Sequence, residues 1–388
     1  MIWLIKPGEL TLKGGNRQTF ENILKRNLLR MLAGIPARLE TRSGRFYLYA
    51  DENNCEKIER VLDSLIGIAG WARTRTSAKI VEDVMRACVE EARESRERGT
   101  ASFKIKARRT DKSFPLDSYA LCVEGGNAVL QALAGLRVDI HNPGCVINIE
   151  IREKAYIYSD SRKGLGGLPV GSGGRGLLLL SGGIDSPVAG FRMACRGMGI
   201  DVVHFHSYPY TSAEARQKVI DLAGILSSYC MGIRLHIIGF TEVQQRIKAR
   251  APESWSTVLL RMAMMECAEK IALTSGAKCL ITGDSLSQVA SQTIENLSCS
   301  ESRINMPVLR PLIGEDKLGI IALAEKIGTY ATSILPYEDC CVLFSPPHPV
   351  LRGKPEEAGT LYEMLELDDL LAAALESCEI VKVCEMPD

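Results

Sequence analysis

The stretch LLLLSGGIDSPVAGF, residues 177–191, ends an apolar run in a short polar turn that could hold a phosphate group. Gly182 and Gly183 let the backbone bend tightly, so its N–H groups can face an anion. Ser181 and Ser186 add hydroxyl donors. Pro187 suits the first turn of a following helix, whose unpaired N–H groups and dipole favour negative charge. Asp185 would repel a bare phosphate. It is explained if Mg²⁺ accompanies the phosphates, because Mg²⁺ takes oxygen ligands and bridges carboxylate to phosphate. No Gly-Lys-Ser/Thr closes the loop, so it is not a Walker A sequence. A second reactive group is the thiol of Cys340, beside Cys341 in LPYEDCC, residues 335–341. A thiolate is the natural nucleophile near neutral pH. Pro336 before it and SPPHP after it read as an accessible loop. Glu338 and Asp339 work against a resting thiolate. A third set is basic: Lys104, Lys106, Arg108, Arg109 and Lys112. On a strand, Lys104 and Lys106 share a face and could grip the phosphates of a folded RNA. Lys13 and Arg17 extend that set.

These groups need elements to hold them. Residues 177–180 read as a strand, 187–198 as a helix, 201–206 as a strand and 212–229 as a helix capped by Thr211 and Glu214. A strand at 233–238, a helix at 254–274 and a strand at 278–282 follow. Continuous apolar strands alternating with helices predict a doubly wound parallel α/β sheet, with ligands beyond the strands' carboxyl ends. Before residue 163 the pattern differs. Strands at 2–5 and 45–50 flank a helix at 16–33, and a helix follows at 54–65. A strand-like stretch at 71–78, a helix at 81–98, a strand at 101–107, a helix near 117–134 and strands near 136–140 and 145–158 make a second α+β unit. The glycine-rich KGLGGLPVGSGGRG, residues 163–176, is the expected linker. The predicted domains are therefore 1–56, 57–162 and 177–388.

A length of 388 residues suits two or three such domains. The formal net charge is zero, yet residues 1–175 carry 29 basic against 21 acidic side chains and residues 176–388 carry 18 against 26. A basic front half points to a polyanionic partner. Thirteen cysteines without a repeated CxxC spacing fit a reducing cytoplasm better than a disulfide framework or zinc ribbon. His204 and His206 lack a third ligand for a metal site. The N-terminus shows no signal peptide, and no apolar run is long enough to span a bilayer.

SGGIDS resembles the PP-loop of ATP pyrophosphatases, of adenine nucleotide alpha hydrolase-like fold, which cleave ATP between the α and β phosphates. GELTLKGGNR (8–17), KSFP (112–115), HNPGCVINIEIR (141–152), GLGGLPVG (164–171), HFHSYPYTS (204–212), TGDSLSQVASQT (282–293), PVLRPL (307–312) and YEDCC (337–341) narrow the resemblance. Together they are similar to the tRNA 4-thiouridine synthetases, the tRNA sulfurtransferase (ThiI) family. The resemblance implies a ferredoxin-like domain, a THUMP RNA-binding domain and a PP-loop domain. It implies ATP-dependent thiolation of uridine 8 of tRNA, through adenylation of O4 and attack by sulfur from a Cys340 persulfide. ATP contacts would be Leu179, Leu180, Ser181, Gly182, Gly183, Ser186, His204, Phe205, Arg261, Gly283 and Gln292, with Asp185 on Mg²⁺. His204 and Phe205 would flank the adenine. Asp284 departs from the family, which more often has Glu there. Many members add a rhodanese-like domain; a form without it is expected here, taking sulfur straight from a cysteine desulfurase. A homodimer and a secondary role in sulfur supply for the thiamine thiazole are also implied. The competing readings are another PP-loop ligase or amidotransferase-type synthetase, and a non-catalytic THUMP RNA-binding protein.

Overall fold

The structure is a computed structural model that describes residues 1–42, 44–337 and 346–384. Cys340 and Cys341 lie outside the described residues. Two compact units are present: Met1–Arg17 with Leu28–Gly166, and Gln18–Asn27 with Gly167–Asp388.

The first unit holds two sheets. Its elements are β1 (Ile2–Pro7), the two ends of α1 (Arg17–Met31, of which Gln18–Asn27 count with the second unit), β2 (Ala37–Arg42), β3 (Arg45–Ala50), α2 (Cys55–Ser64), β4 (Ile68–Arg73), β5 (Arg75–Ser77), α3 (Val81–Glu97), β6 (Ser102–Arg109), α4 (Ser118–Ala132), β7 (Arg137–Val138), β8 (Cys145–Ile151), β9 (Ala155–Tyr158) and β10 (Ser161–Lys163). The first sheet has the order β10-β4-β1-β3-β2, the second β5-β9-β8-β6-β7. The sheets do not divide at residue 56 as the sequence predicts. β4 pairs antiparallel with β1, and β10 returns to pair with β4, so the first sheet reaches Arg73 and includes residues 161–163. The stretch at 71–78 spans two strands that part at Thr74. Residue pattern predicts strand, but it carries no label for which sheet supplies the partner. β6 alternates as expected: Phe103 and Ile105 are buried under α3 and α4 while the Lys104–Lys106–Arg108 face looks outward.

The second unit is built from β11 (Arg175–Leu179), α5 (Asp185–Cys195), β12 (Gly199–His206), α6 (Ala213–Cys230), β13 (Ile233–Gly239), α7 (Thr241–Arg250), α8 (Ser256–Ser275), β14 (Leu280–Ile281), α9 (Ile294–Glu301), β15 (Val308–Leu309), α10 (Lys317–Lys326), α11 (Tyr330–Ser333), α12 (Pro355–Glu363), α13 (Asp368–Glu376) and β16 (Glu379–Val383). The sheet order is β15-β14-β11-β12-β13-β16. Five strands run parallel, as expected, but β16 pairs antiparallel with β13. Leu177 and Leu178 are fully buried because helices cover both faces of β11. The largely apolar α8 is swallowed by the core for the same reason. α6 is capped by Ser212, whose Oγ accepts from Ala215 N at 3.2 Å, one residue past the expected cap. Thr211 Oγ1 instead accepts from Ser207 N at 3.0 Å and fixes the preceding loop. Among the described residues no helix is long and apolar enough to cross a membrane.

Two histidines of this sheet set an acid limit. Burial holds His236 below the usual imidazole pKa, with Arg234 assisting and Asp201 opposing. Burial does the same for His206, reinforced by His204 and Arg216 and opposed by Glu379. A base with a lowered folded pKa leaves the unfolded chain binding more protons. Stability is therefore whole above about pH 6.5 and is lost as pH falls below it. His236→Leu, which removes a buried Nε2 with no hydrogen-bond partner among the described residues, is expected to flatten the fall of melting temperature between about pH 7.5 and 5.5. An unchanged slope would remove His236 from this account.

Candidate active site

The strand order reverses between β11 and β14: β12 and β13 lie on one side of β11, β14 and β15 on the other. In open α/β sheets such a switch point leaves a crevice beyond the strands' carboxyl ends. A cavity of about 400 Å³ opens there. Its lining includes Leu179, Leu180, Ser181, Gly183, Asp185, Ser186, His204, Phe205, Arg261, Gly283 and Gln292, which sequence reasoning had scattered over more than a hundred positions. Gly182, also expected there, is buried in the same loop.

The loop is held by its own hydroxyls. Ser186 Oγ accepts from Ser181 N at 3.0 Å and lies 3.1 Å from Ser181 Oγ, which accepts from Gly183 N at 3.3 Å. α5 starts at Asp185, two residues before the expected start, so Pro187 stands third in its first turn. Gly283 closes the other side. A Cβ there would lie 2.7 Å from Ser186 N and 2.9 Å from Asp185 C. Only a bare backbone lets the β14 exit approach the first turn of α5 this closely.

His204 Nδ1 lies 3.0 Å from the Leu180 carbonyl. A carbonyl only accepts, so Nδ1 carries the proton and, in the neutral ring, Nε2 is an acceptor. Phe205 is 5% exposed and packs edge-on against Phe240 at 4.7 Å, which makes it a fixed apolar wall. Arg261 Nη2 donates to both carboxylate oxygens of Asp284, each at 2.8 Å. Arg310 Nε, Thr282 Oγ1 and Gln292 Nε2 donate to the same carboxylate at 3.2, 2.7 and 3.2 Å. Burial pushes the Asp284 pKa up, but Arg261 foremost, then Thr282 and Arg310, outweigh it and hold the group below the usual carboxylate range. Asp284 is therefore a hub that fixes the two guanidiniums and Gln292 along the wall.

Asp185 differs from that hub. Its side chain is 19% exposed, Lys317 Nζ lies 2.5 Å from Oδ1, and Gln288 Nε2 donates to Oδ2 at 2.9 Å. Ser287, with φ of 60°, turns the chain so that Gln288 points back at this carboxylate. Lys317, Gln288 and Arg310 are the site residues the motif reading did not assign; Asp284 it singled out only as a departure from the family. Arg310 had one signal, a lone arginine after the short apolar PVL. Lys317 had none, since it stands 132 positions from the acid it meets.

The basic strand belongs to the first unit. Lys106, Arg108 and Lys112 are exposed. Lys104 Nζ donates to the Ile140 carbonyl at 2.8 Å. Arg109 points the other way: its Nη1 donates to the Phe114 and Leu116 carbonyls at 2.8 and 3.3 Å and ties down the loop after β6. Its side chain thus has a structural use that the expected phosphate contact did not include.

Comparison with known proteins fits this geometry. The family model described as thiamine biosynthesis protein (ThiI) matches residues 171–367, the ThiI ferredoxin-like domain matches residues 2–72, and the THUMP domain matches residues 78–160. The chain belongs to the ThiI family. A probable tRNA sulfurtransferase of Treponema pallidum (strain Nichols) is 49% identical over 375 residues, covering 96% of this chain and 93% of the relative. A probable tRNA sulfurtransferase of Caldanaerobacter subterraneus subsp. tengcongensis is 45% identical, covering 92% and 93%. Among solved structures, a 4-thiouridine synthetase–RNA complex with bound ATP matches at a TM-score of 0.89 and 36% identity, covering 98% of this chain and 99% of that one. PH1313 from Pyrococcus horikoshii Ot3 matches at a TM-score of 0.67 and 26% identity, covering 84% and 99%. The ThiI-family chain thus has a ferredoxin-like domain, a THUMP domain and an α/β PP-loop domain.

Proposed function

We propose that this ThiI-family enzyme is a tRNA sulfurtransferase that spends ATP to exchange the O4 of uridine 8 for sulfur. The observation that carries the reading is the self-braced loop Ser181–Ser186 at the switch point, in a chain matching a 4-thiouridine synthetase over nearly its whole length. Backbone N–H groups of the loop and the free end of α5 would hold the phosphates. Phe205 and His204 would wall the base.

The residues present fit Mg²⁺. Two acids line the cavity, and Asp284 is saturated by two guanidiniums, so Asp185 is the carboxylate open to a cation. Bound there with phosphate oxygens, Mg²⁺ would supply charge neutralisation for the departing pyrophosphate. Lys317 would turn from Asp185 to the same phosphates, and Gln288 would keep the carboxylate aimed.

A carbonyl oxygen leaves poorly. O4 therefore attacks the α-phosphorus of ATP, and pyrophosphate departs. The outer sulfur of a Cys340 persulfide then attacks C4 and expels AMP, leaving a Cys340–S–S–C4 bridge. A second thiol attacks the Cys340 sulfur of that bridge, releases the thiocarbonyl and leaves a mixed disulfide for a further thiol to reduce. A cysteine desulfurase would load the persulfide. The exposed Lys106, Arg108 and Lys112, with Lys104, would position the tRNA backbone.

The test is incubation with ATP, Mg²⁺, unmodified tRNA, cysteine and a cysteine desulfurase. AMP and 4-thiouridine, read by its near-ultraviolet absorbance, should both appear, and neither should form unless ATP and tRNA are both present. AMP formed in the absence of tRNA would favour a ligase or amidotransferase-type synthetase instead.

A further inference from the structure

One buried cation is unused by this chemistry. Lys218, on α6, is 5% exposed and lies outside the nucleotide cavity lining. Its Nζ donates to the Leu335 carbonyl at 2.8 Å and to the Tyr337 carbonyl at 3.4 Å. Burying an ammonium is costly unless its N–H donors are met. The two carbonyls belong to the irregular stretch after α11, which ends at Ser333; there Tyr337 N donates to the Leu335 carbonyl at 2.8 Å, and Pro336 has no N–H to offer. Lys218 adds a tie from α6 to both carbonyls. At the near end of the same stretch, Ser333 Oγ donates to the Gly183 carbonyl at 3.2 Å. Residues 333–337 are thus tied to the phosphate loop at one end and to α6 at the other.

Cys340 follows Tyr337 by three residues, a reach of at most about 10 Å. The place where Tyr337 is held therefore sets which points the thiol can visit. We propose that Lys218 is a positioning residue for sulfur delivery: it fixes the start of the segment that carries Cys340, in register with the loop that holds the nucleotide. The proposal rests on the reading above, in which Cys340 carries the sulfur. The ammonium lies outside the lining of the nucleotide cavity, so its loss should spare adenylation and impair transfer from the protein's own sulfur.

The experiment compares full-length Lys218→Met and Lys218→Arg with the parent in three assays. These are AMP formation, thiolation fed by free sulfide, and thiolation fed by a cysteine desulfurase. In Lys218→Met the first two should stay within about threefold, while the desulfurase-fed rate falls at least about tenfold, as expected for a misplaced reacting group. Lys218→Arg, which keeps a donor, should recover most of the loss. Chymotryptic cleavage after Tyr337 should quicken in Lys218→Met, with cleavage after the exposed Tyr119 unchanged. Equal falls in all three rates, an undiminished desulfurase-fed rate, or unaltered cleavage after Tyr337 would each overturn the proposal. A parallel Cys340→Ser variant separates the two levels. Full desulfurase-fed activity in Cys340→Ser overturns the cysteine assignment beneath the proposal. An inactive Cys340→Ser beside an unimpaired Lys218→Met overturns the role of Lys218 alone.

Discussion

Asp185→Ala is expected to lower AMP formation by at least about 10²-fold while leaving the fold intact. The two acids of the cavity have opposite situations, and that decides which one is exchangeable. Asp284 is 3% exposed and receives hydrogen bonds from Arg261, Arg310, Thr282 and Gln292. Removing it would take from two half-buried guanidiniums the carboxylate they share, with Arg310 keeping Glu301, so its loss would be read first as instability. Asp185 stands at the first residue of α5, and its partners Lys317 and Gln288 come from the rim. A carboxylate beside a helix N-terminus and an ammonium can hand its ionic partner to phosphate or cation with little rearrangement. Circular dichroism and melting temperature should therefore change little in Asp185→Ala. Nucleotide binding measured with and without Mg²⁺ should lose its metal dependence. AMP formation equal to the parent's would remove Asp185 from the chemistry.

Cys340→Ser should abolish desulfurase-fed thiolation, by at least about 10³-fold, and leave AMP formation in place. A hydroxyl cannot hold a persulfide, so there would be no outer sulfur to attack the adenylated base. Activation of O4 needs none of that sulfur and should continue, with the adenylate lost to water. The product ratio is the decisive readout: the parent should give AMP and thiouridine together, the variant AMP alone. Mass spectrometry after loading by the desulfurase should find the persulfide on the Cys340 peptide of the parent. Desulfurase-fed thiouridine from Cys340→Ser at the parental rate would end the assignment. The other cysteines offer weak competition. Burial pushes the Cys88 and Cys267 thiols up to about 12 and the Cys195 thiol up to about 11, which keeps them as small apolar fillers.

The nucleotide loop was legible because three local signals coincide there: an apolar run buried on both faces, two glycines, and a helix pattern that resumes at once. The long parallel strands β12 and β13 announced themselves in the same way. β14 and β15 have two residues each and little pattern to show. The polar α7 lacks a clear apolar stripe, and β16 is five residues long with Glu379 and Lys382 among them; neither was read from the sequence. The boundary after β4 was missed because pairing partners are chosen by the tertiary fold. Likewise Lys317 and Gln288 reach Asp185 only through the return of the chain over the sheet's carboxyl edge. The motif reading gave Arg261 a ligand's place, and the structure adds the acid that aims it. Arg109 shows the reverse case, since a basic residue in a basic strand can be spent on its own loop.

β16 has a consequence for how this domain behaves in a crowded solution. Without it, the seven residues of β13 would present a long rim of unpaired amides, an open template for edge-to-edge association. β16 covers that rim with a shorter strand bearing Glu379 and Lys382, while the opposite rim is β15, only two residues long. Both flanks of the sheet are thereby poor seeds for polymerisation, and the crevice at its centre remains its most inviting surface for a ligand.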